Sequence, residues 1–247
     1  MRQIYAPKQG TKERTAISRG YRMKNKKKIG ATLLVLGGGK GERMGGNKFF
    51  LSVDGEPVAR RMLTIGAFFE SVVFCVGFGE EEAAERVLRA LGARVARVTE
   101  DRAPGRGPLE GLRQGLAAME TAWGFLLGID MPGASEAAIR QMWALTGPDD
   151  DVSCFAENGR PNALHAFYRK TCLPQVDAAL AGEKREKSEK KSARGGPKII
   201  SFYKDVRVRE IVDADLAHLP GWRRSFDNFN SPEELEGMAL PAPPAPR

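Results

Sequence analysis

The chain has 247 residues, of which 42% are hydrophobic, and this is enough for one large α/β domain with a substantial core. Its formal charge of +8 is concentrated in residues 1–28 and 183–198, so the remainder is net acidic. This disfavours nucleic acid as a partner, and the apolar runs are too short for the ~18–20 residues of a membrane-spanning helix, so we expect no membrane partner either.

Residues 1–28 are polar and basic, without apolar periodicity, and they are predicted to form a disordered tail. The tail lacks the apolar stretch of a secretory signal. The three cysteines, Cys75, Cys154 and Cys172, are far apart and form no C-x-x-C pair. This pattern predicts a cytoplasmic protein and argues against a disulfide framework or a zinc site.

Short apolar runs alternate with segments of helical spacing in the first half of residues 29–240, which we predict to form a single domain. The apolar runs are Ile29–Leu36, Ser71–Val76, Arg94–Val98 and Gly124–Ile129. The helical segments are Val58–Phe69, Glu81–Leu91, Leu109–Ala122 and Glu136–Leu145. Because strands buried on both faces are continuously apolar, this alternation predicts a doubly wound, mainly parallel sheet with right-handed crossovers.

The segment after the first predicted strand is rich in glycine. Five glycines follow within nine residues: Gly37, Gly38, Gly39, Gly41 and Gly45. Glycine lets backbone N–H groups approach and cradle phosphate oxygens, and Arg43 and Lys48 are spaced to add two cationic donors. Neither the Walker pattern nor the G-x-G-x-x-G fingerprint fits. Since ligands bind at the carboxyl ends of strands in open α/β sheets, we predict a phosphate-binding loop of another type.

A second candidate site follows the run Gly124–Ile129, which leads directly into Asp130, Met131 and Pro132. A carboxylate at the carboxyl end of a strand, opposite a triphosphate loop, suits Mg²⁺, because this ion takes oxygen ligands and bridges carboxylate to phosphate. The alternative is that Asp130 only caps the next helix.

The second half of the chain is less regular. The predicted elements, in chain order, are a strand at Asp151–Phe155, a turn at Gly159–Pro161, a strand at Ala163–Tyr168, a helix at Leu173–Leu180, ordered segments at Ile199–Phe202 and Val206–Val212, and a helix at Ser231–Met238. Residues 183–198 are almost all charged, Ser or Gly, and are predicted to form a mobile basic loop. Residues 241–247 are predicted to fray. We expect His165 to line an acceptor pocket or to pack beside its strand.

Three segments resemble the MobA-like nucleotidyltransferases. The string at 36–48 resembles that family's signature, Leu-Ala-Gly-Gly followed by Arg-Met-Gly and Lys, with Gly37 in place of the usual Ala. The string Gly-Pro-Leu-Glu-Gly-Leu at 107–112 resembles the molybdenum cofactor guanylyltransferase branch in particular. The string at 226–235 resembles the family's late Phe-x-Asn-x-Asn-Thr-Pro-Glu-Glu-Leu.

This resemblance implies a Rossmann-like, three-layer α/β/α fold of the nucleotide-diphospho-sugar transferase type. It also implies that GTP is bound with Mg²⁺ and that a GMP group passes to the phosphate of molybdopterin. The products would be pyrophosphate and molybdopterin guanine dinucleotide. Molybdenum-insertion and molybdoenzyme maturation proteins are the further partners that this function implies.

The resemblance also assigns roles to residues of this chain. Arg43, Lys48 and Asp130 are the predicted catalytic residues, and Asp130 is the predicted metal ligand. An acidic residue shortly before the 107–112 string accepts from the N1–H and 2-amino groups of guanine, with Asp101 as the candidate and Glu100 as the alternative. The predicted acceptor-binding residues are Asn228 and Asn230, whose side chains point the same way on an extended segment. The predicted GTP-binding residues are Leu36, Gly37, Gly38, Gly39, Arg43, Lys48, Asp101, Gly107, Pro108 and Asp130.

Other functions remain open at this point. A related nucleotidyltransferase would use CTP, or a sugar phosphate as the acceptor, and the 107–112 string weighs against both. A non-catalytic nucleotide-binding scaffold is disfavoured because Arg43, Lys48 and Asp130 are all present.

Overall fold

The computed structural model describes residues 27–37, 49, 51–53, 56–93, 96–189, 197–229 and 234. Its strands are β1 (Ile29–Leu36), β2 (Ser52–Val53), β3 (Glu56–Pro57), β4 (Phe69–Val76), β5 (Ala96–Glu100), β6 (Trp123–Gly128), β7 (Val152–Glu157), β8 (Arg160–Arg169) and β9 (Val208–Ile211). Its α-helices are α1 (Val58–Gly66), α2 (Glu81–Ala90), α3 (Pro108–Ala118), α4 (Glu136–Leu145), α5 (Leu173–Glu189) and α6 (Asp213–Leu216). Short 3-10 helices occupy Lys170–Cys172, Ile199–Asp205 and Trp222–Phe226. In these ranges, no helix combines the length and the apolar character that crossing a bilayer requires.

Seven of the strands form one mixed sheet in the order β5-β4-β1-β6-β8-β7-β9. β1 pairs in parallel with β4 and β6, and β4 pairs in parallel with β5. β8 runs antiparallel to both β6 and β7, while β7 and β9 are parallel. The predicted doubly wound, mainly parallel α/β fold is confirmed. Because β8 is reversed, its first residues lie at the same edge as the carboxyl ends of β1, β4, β5 and β6.

The sheet lies between two layers of helices, and alternate residues of β1 pack against opposite layers. Leu33 and Val35 belong to the core cluster that includes residues of α1, α2 and α4. Leu34 and Leu36 belong to the cluster that includes residues of α3 and α5. Full burial of a Leu or Val side chain contributes about 1.5–3 kcal/mol relative to exposure. The continuous apolar run of β1 therefore reflects burial on both faces.

Close packing of α3 on the sheet depends on Gly111. A Cβ atom at this position would lie under 3.0 Å from Cδ1 of Leu36, a separation that real Cβ contacts essentially never show. The absence of a side chain lets the first turn of α3 rest on the last residue of β1. As a result, the N-terminus of α3 lies at the carboxyl edge of the sheet.

Each strand and helix predicted before residue 190 is present, although several ends differ. The main correction concerns the loop predicted at 183–198, because α5 continues to Glu189 instead of ending near Leu180. Glu and Lys are strong helix formers, and a single Gly such as Gly182 costs a helix only about 1 kcal/mol relative to Ala. The expected N-terminal tail up to residue 26, residues 190–196, and the C-terminal tail lie outside the described residues, as does the helix predicted at Ser231–Met238 except for Glu234.

Candidate active site

The carboxyl ends of the parallel strands lie side by side at one edge of the sheet. Leu36 is in register with Cys75 of β4 and Gly128 of β6, and Val76 is in register with Glu100 of β5. The loops that follow these strands therefore start close together, as expected for the ligand-binding edge of an open α/β sheet. The predicted site residues that the structure brings to this edge are Leu36, Gly37, Asp101, Gly107, Pro108 and Asp130.

The two ends of the glycine-rich segment meet at the end of β1. The N–H of Gly37 donates to the carbonyl of Cys75 at 2.8 Å, which extends the pairing with β4 by one residue. A Cβ at Gly37 would lie 3.2 Å from Cδ2 of Phe49, and the buried Phe49 ring packs edge-on against Phe74. Gly37 and Phe49, which flank residues 38–48 in the sequence, thus lie next to each other in the core. Gly38, Gly39, Arg43 and Lys48 lie outside the described residues, so their roles stay predictions.

The carboxylates of Glu100 and Asp101 have different surroundings. Oε2 of Glu100 accepts from the N–H groups of Gly79 at 3.0 Å and Glu81 at 3.3 Å, and thereby caps the N-terminus of α2. Asp101 begins the loop beyond β5, where its N–H donates to the carbonyl of Val76 at 3.1 Å. Because Glu100 is engaged in the fold, Asp101 is the better candidate to contact a ligand.

The electrostatic environment of Asp101 is acidic. Burial and, after it, the nearby carboxylates of Glu110 and Glu80 together raise the pKa of the Asp101 carboxyl to about 7, against the lowering effect of Arg106. Glu110 is 1% exposed and forms an ion pair of 3.2 Å with Arg106 and a hydrogen bond of 2.9 Å with Nε2 of Gln114. No sequence motif indicated a buried Glu110, because a Glu in the first turn of a helix is ordinarily exposed.

The loop that follows Asp101 ends at the N-terminus of α3. Gly107 is the residue before the helix and has a φ of 75°, a left-handed conformation that suits glycine, and Pro108 is the first helical residue. The Gly-Pro pair therefore sets the direction in which α3 leaves the site. In the first helical turn, Glu110 is buried near Asp101.

Asp130 lies just beyond the end of β6. The N–H of Ile129 donates to the carbonyl of Leu36 at 3.1 Å, and Asp130 follows as a partly buried residue. Gly128 makes room for its carboxylate, since a Cβ there would lie under 3.0 Å from Oδ1 of Asp130. The alternative that Asp130 caps the next helix is wrong, because Ser135 is the N-cap of α4 and its Oγ accepts from the N–H of Ala138 at 3.1 Å.

A late segment of the chain returns to Asp130. The N–H of Phe229 donates to the carbonyl of Asp130 at 3.0 Å, and the Phe229 side chain is fully buried. This contact places the exposed Asn228 one residue away from the Asp130 loop. Asn230 lies outside the described residues, so its role stays a prediction.

His165 packs in the core and does not line an open pocket. It is fully buried, its ring lies 4.9 Å from that of Phe125 and 4.4 Å from that of Phe226, and burial lowers its pKa to about 3. Its Nε2 is 2.9 Å from Oγ of Ser225, which also accepts from the N–H of Ser135 at 3.0 Å. The neutral His165 and Ser225 thus anchor the late segment, a role that no motif indicated.

A cavity of about 550 Å³ opens where the β7–β8 hairpin meets the 3-10 helix Trp222–Phe226. Its lining residues are Phe155, Glu157, Asn158, Arg160, Asn162, Trp222, Arg223, Phe226 and Asp227. No sequence motif indicated this cavity, because its walls come from segments far apart in the chain.

Known proteins share both the sequence features and the fold. A family model described as the MobA-like NTP transferase domain matches residues 33–194. A probable molybdenum cofactor guanylyltransferase of Pelotomaculum thermopropionicum is 29% identical over 208 residues, covering 83% of this chain and 90% of the relative. A protein of the same description from Methanosarcina acetivorans is 28% identical over 211 residues, covering 83% and 88%. The structure of molybdopterin-guanine dinucleotide biosynthesis protein A from Archaeoglobus fulgidus superposes with a TM-score of 0.63 at 20% identity, covering 83% of this chain and 95% of that one, and shows the shared fold.

Proposed function

Because the chain belongs to the MobA-like NTP transferase family, we propose that it transfers GMP from GTP to the phosphate of molybdopterin, releasing pyrophosphate and forming molybdopterin guanine dinucleotide. The chain is a nucleotidyltransferase, and curated relatives that match most of its length are named molybdenum cofactor guanylyltransferases. All three of its cysteines are buried and unpaired, which supports our further proposal that it acts in the cytoplasm.

The observation that carries this proposal is the position of Asp130. On one side of Asp130 lie the ends of β1 and β5, with Gly37 and Asp101. On its other side lies the segment of Asn228, which is held there by the hydrogen bond from the N–H of Phe229 to the Asp130 carbonyl. A nucleotide held on one side of Asp130 and an acceptor on the other would meet at this carboxylate. Such an arrangement suits a displacement between two bound phosphates, which depends mainly on positioning and charge neutralisation.

The residues at this edge fit a Mg²⁺ ion. Asp130 offers one carboxylate at the end of a strand, with space made for it by Gly128. In the described part of the chain, no group of three or more His, Cys, Asp or Glu residues is arranged to hold a metal. One carboxylate is the donor set that Mg²⁺ uses when substrate phosphates and waters complete its coordination. When bound at Asp130, the ion supplies neutralisation of the phosphate charge.

The remaining steps fall to the chain's own residues. We assign the backbone N–H groups of Gly38 and Gly39, together with Arg43 and Lys48, to hold the triphosphate and to stabilise its developing charge. Gly37 lies at the base of this loop, where its own N–H is bonded to the carbonyl of Cys75. An oxygen of the acceptor phosphate forms a bond to the α-phosphorus of GTP, the bond from that phosphorus to the bridging oxygen of the β-phosphate breaks, and pyrophosphate leaves. The acceptor phosphate is already ionised, so no general base is needed.

Asp101 supports guanine as the base. An ionised carboxylate accepts from the N1–H and 2-amino groups of guanine, whereas cytosine presents an acceptor at N3. The capping bonds of Glu100 leave Asp101 as the residue that we propose for this contact.

Pyrophosphate release tests the proposal directly. We would incubate the protein with Mg²⁺, molybdopterin and each of the four NTPs in turn, and we expect release with GTP alone. Release with CTP would retain the mechanism and overturn the guanine assignment. If no NTP gives pyrophosphate release in the presence of acceptor of confirmed activity, the proposed function is wrong.

A further inference from the structure

The cavity beside the β7–β8 hairpin lies on the acceptor side of Asp130. In the sheet order, β6 separates β1, β4 and β5 from β8 and β7. The residues from β7 and β8 that line the cavity include Glu157 and Arg160, which flank the hairpin turn at the edge where β6 ends. Asp227, at the other wall, immediately precedes Asn228. The cavity is therefore separated from Asp101 by the Asp130 loop and continuous with the segment bonded to Asp130.

One wall of the cavity is aromatic. The rings of Phe155 and Phe226 lie 4.2 Å apart at a tilt of 31°, and Trp222 packs edge-on against Phe155 at 5.5 Å. Trp222 is only 8% exposed, so its position is set by packing and not by a ligand. A rigid aromatic wall of this kind binds a flat ring by stacking or edge contact.

The charged residues of the cavity fall into two groups. Arg223 is neutralised, because it pairs with Glu157 at 3.6 Å and with Asp213, and its guanidinium lies 4.5 Å over the Trp222 ring. Among the described residues, by contrast, neither Arg160 nor Asp227 forms an ion pair or a side-chain hydrogen bond. The cavity thus presents a donor fork and an acceptor carboxylate that are both available.

This combination selects the chemistry of the occupant. The four charged lining residues, Glu157, Arg160, Arg223 and Asp227, sum to no net charge, which disfavours a polyanion. A flat heterocycle whose edge carries both donors and acceptors matches the aromatic wall and the two available groups. The volume of about 550 Å³ is ample for a bicyclic ring, as small-molecule pockets span about 300–1,000 Å³.

We propose that this cavity binds the pterin ring of the acceptor, an inference that rests on the proposed function. Arg160 donates to the carbonyl edge of the ring, and Asp227 accepts from its amino and ring N–H groups. The ring packs against the aromatic wall at Phe226. Since Asp227 adjoins Asn228, the phosphate end of the acceptor extends from the cavity toward Asp130.

Equilibrium binding of 6-hydroxymethylpterin, a neutral ring without the phosphate, tests the cavity apart from turnover. Pterin fluorescence would be titrated with wild-type protein, Arg160→Gln and Asp227→Asn. Arg224→Gln is the matched control, since Arg224 is exposed on the same short helix and does not line the cavity. We expect Kd to rise about tenfold in each cavity variant, about 1.4 kcal/mol, and to stay within about twofold in the control.

Turnover kinetics of the same variants then separate this inference from the proposed function. In both cavity variants the KM for molybdopterin should rise about tenfold while the KM for GTP is unchanged. Absence of saturable pterin binding by the wild type, or wild-type Kd and KM in both variants, would overturn the cavity assignment. Wild-type protein that binds the pterin ring but transfers no nucleotide would uphold the cavity and refute the proposed transfer.

Discussion

The backbone N–H of Phe229 donates a hydrogen bond of 3.0 Å to the backbone carbonyl of Asp130. A second bond, from the N–H of Ser135 to Oγ of Ser225, also 3.0 Å, joins the same two segments. The loop after β6 and the segment that carries Asn228 are therefore held together although they are far apart in sequence. This arrangement keeps the proposed metal ligand beside the proposed acceptor contacts.

Replacing the Asp130 carboxylate should abolish most of the activity. In Asp130→Asn we expect kcat for GMP transfer to fall about 100-fold or more, because electrostatic stabilisation of developing charge is usually the largest single contribution to catalysis. Steady-state pyrophosphate release measures this. Asp149→Asn is the control, since Asp149 is 88% exposed and precedes β7 at the opposite edge of the sheet. Equal turnover in the two variants would contradict the role assigned to Asp130.

The pH dependence of GTP binding should follow the Asp101 carboxyl, whose pKa is raised to about 7. Guanine is bound by the ionised form, so KM for GTP should be about tenfold higher near pH 6 than near pH 8. Asp101→Asn should raise KM at the higher pH and remove the dependence. In Glu82→Gln, which alters an 84% exposed carboxylate, the profile should be unchanged. If KM for GTP still depends on pH in Asp101→Asn, the titrating group is not Asp101.

The same pKa shift predicts an effect on stability. The pKa of this carboxyl is near 3.8 in the unfolded chain and about 7 in the folded one. The folded state therefore loses stability as the pH rises from about 3.8 to about 7, and above this range the loss of stability is complete. Asp101→Asn should therefore raise Tm at pH 8 and leave it unchanged at pH 3.5, as followed by circular dichroism. A lower Tm at pH 8 would show that the carboxylate is stabilised by contacts that outweigh its burial.

Ser225 should contribute to stability through its buried hydrogen bonds. Ser225→Ala leaves the N–H of Ser135 and Nε2 of His165 without this partner, at an expected cost of about 1–3 kcal/mol in the free energy of unfolding. Urea unfolding monitored by tryptophan fluorescence gives the value. Ser201→Ala, at an exposed serine, should change it by less than about 0.5 kcal/mol. An unchanged free energy of unfolding in Ser225→Ala would contradict this role and mean that water replaces the hydroxyl.

Two glycine-to-alanine substitutions should differ in their effect on the free energy of unfolding. Gly111→Ala forces a Cβ into Leu36 and should destabilise the fold by about 1–3 kcal/mol, and it should also raise KM for GTP because α3 shifts away from the end of β1. Gly182→Ala, in α5 with nothing within 4 Å of its added Cβ, should be neutral or stabilise by up to about 1 kcal/mol. Equal effects at both positions would refute the close packing of α3.

Much of the fold could be predicted from local patterns. The apolar run Ile29–Leu36 and the helix Glu136–Leu145 have the predicted bounds, because burial on both faces of a strand and on one face of a helix imposes a residue-by-residue periodicity. Local sequence also explains the wrong prediction at the end of α5. The charged and glycine residues indicated a loop from residue 183, but Glu and Lys favour a helix, and α5 continues to Glu189.

The site was predictable as a set of residue types and not as an arrangement. A glycine-rich segment after a buried strand and a carboxylate at the end of another predicted that Gly37 and Asp130 lie at one edge of the sheet, and both do. The capping of α2 by Glu100, the burial of Glu110 and the cavity at Arg160 and Asp227 came only from the tertiary structure. Each of these depends on partners brought together by pairing of strands distant in the chain, and local sequence periodicity carries no information about which distant side chains meet.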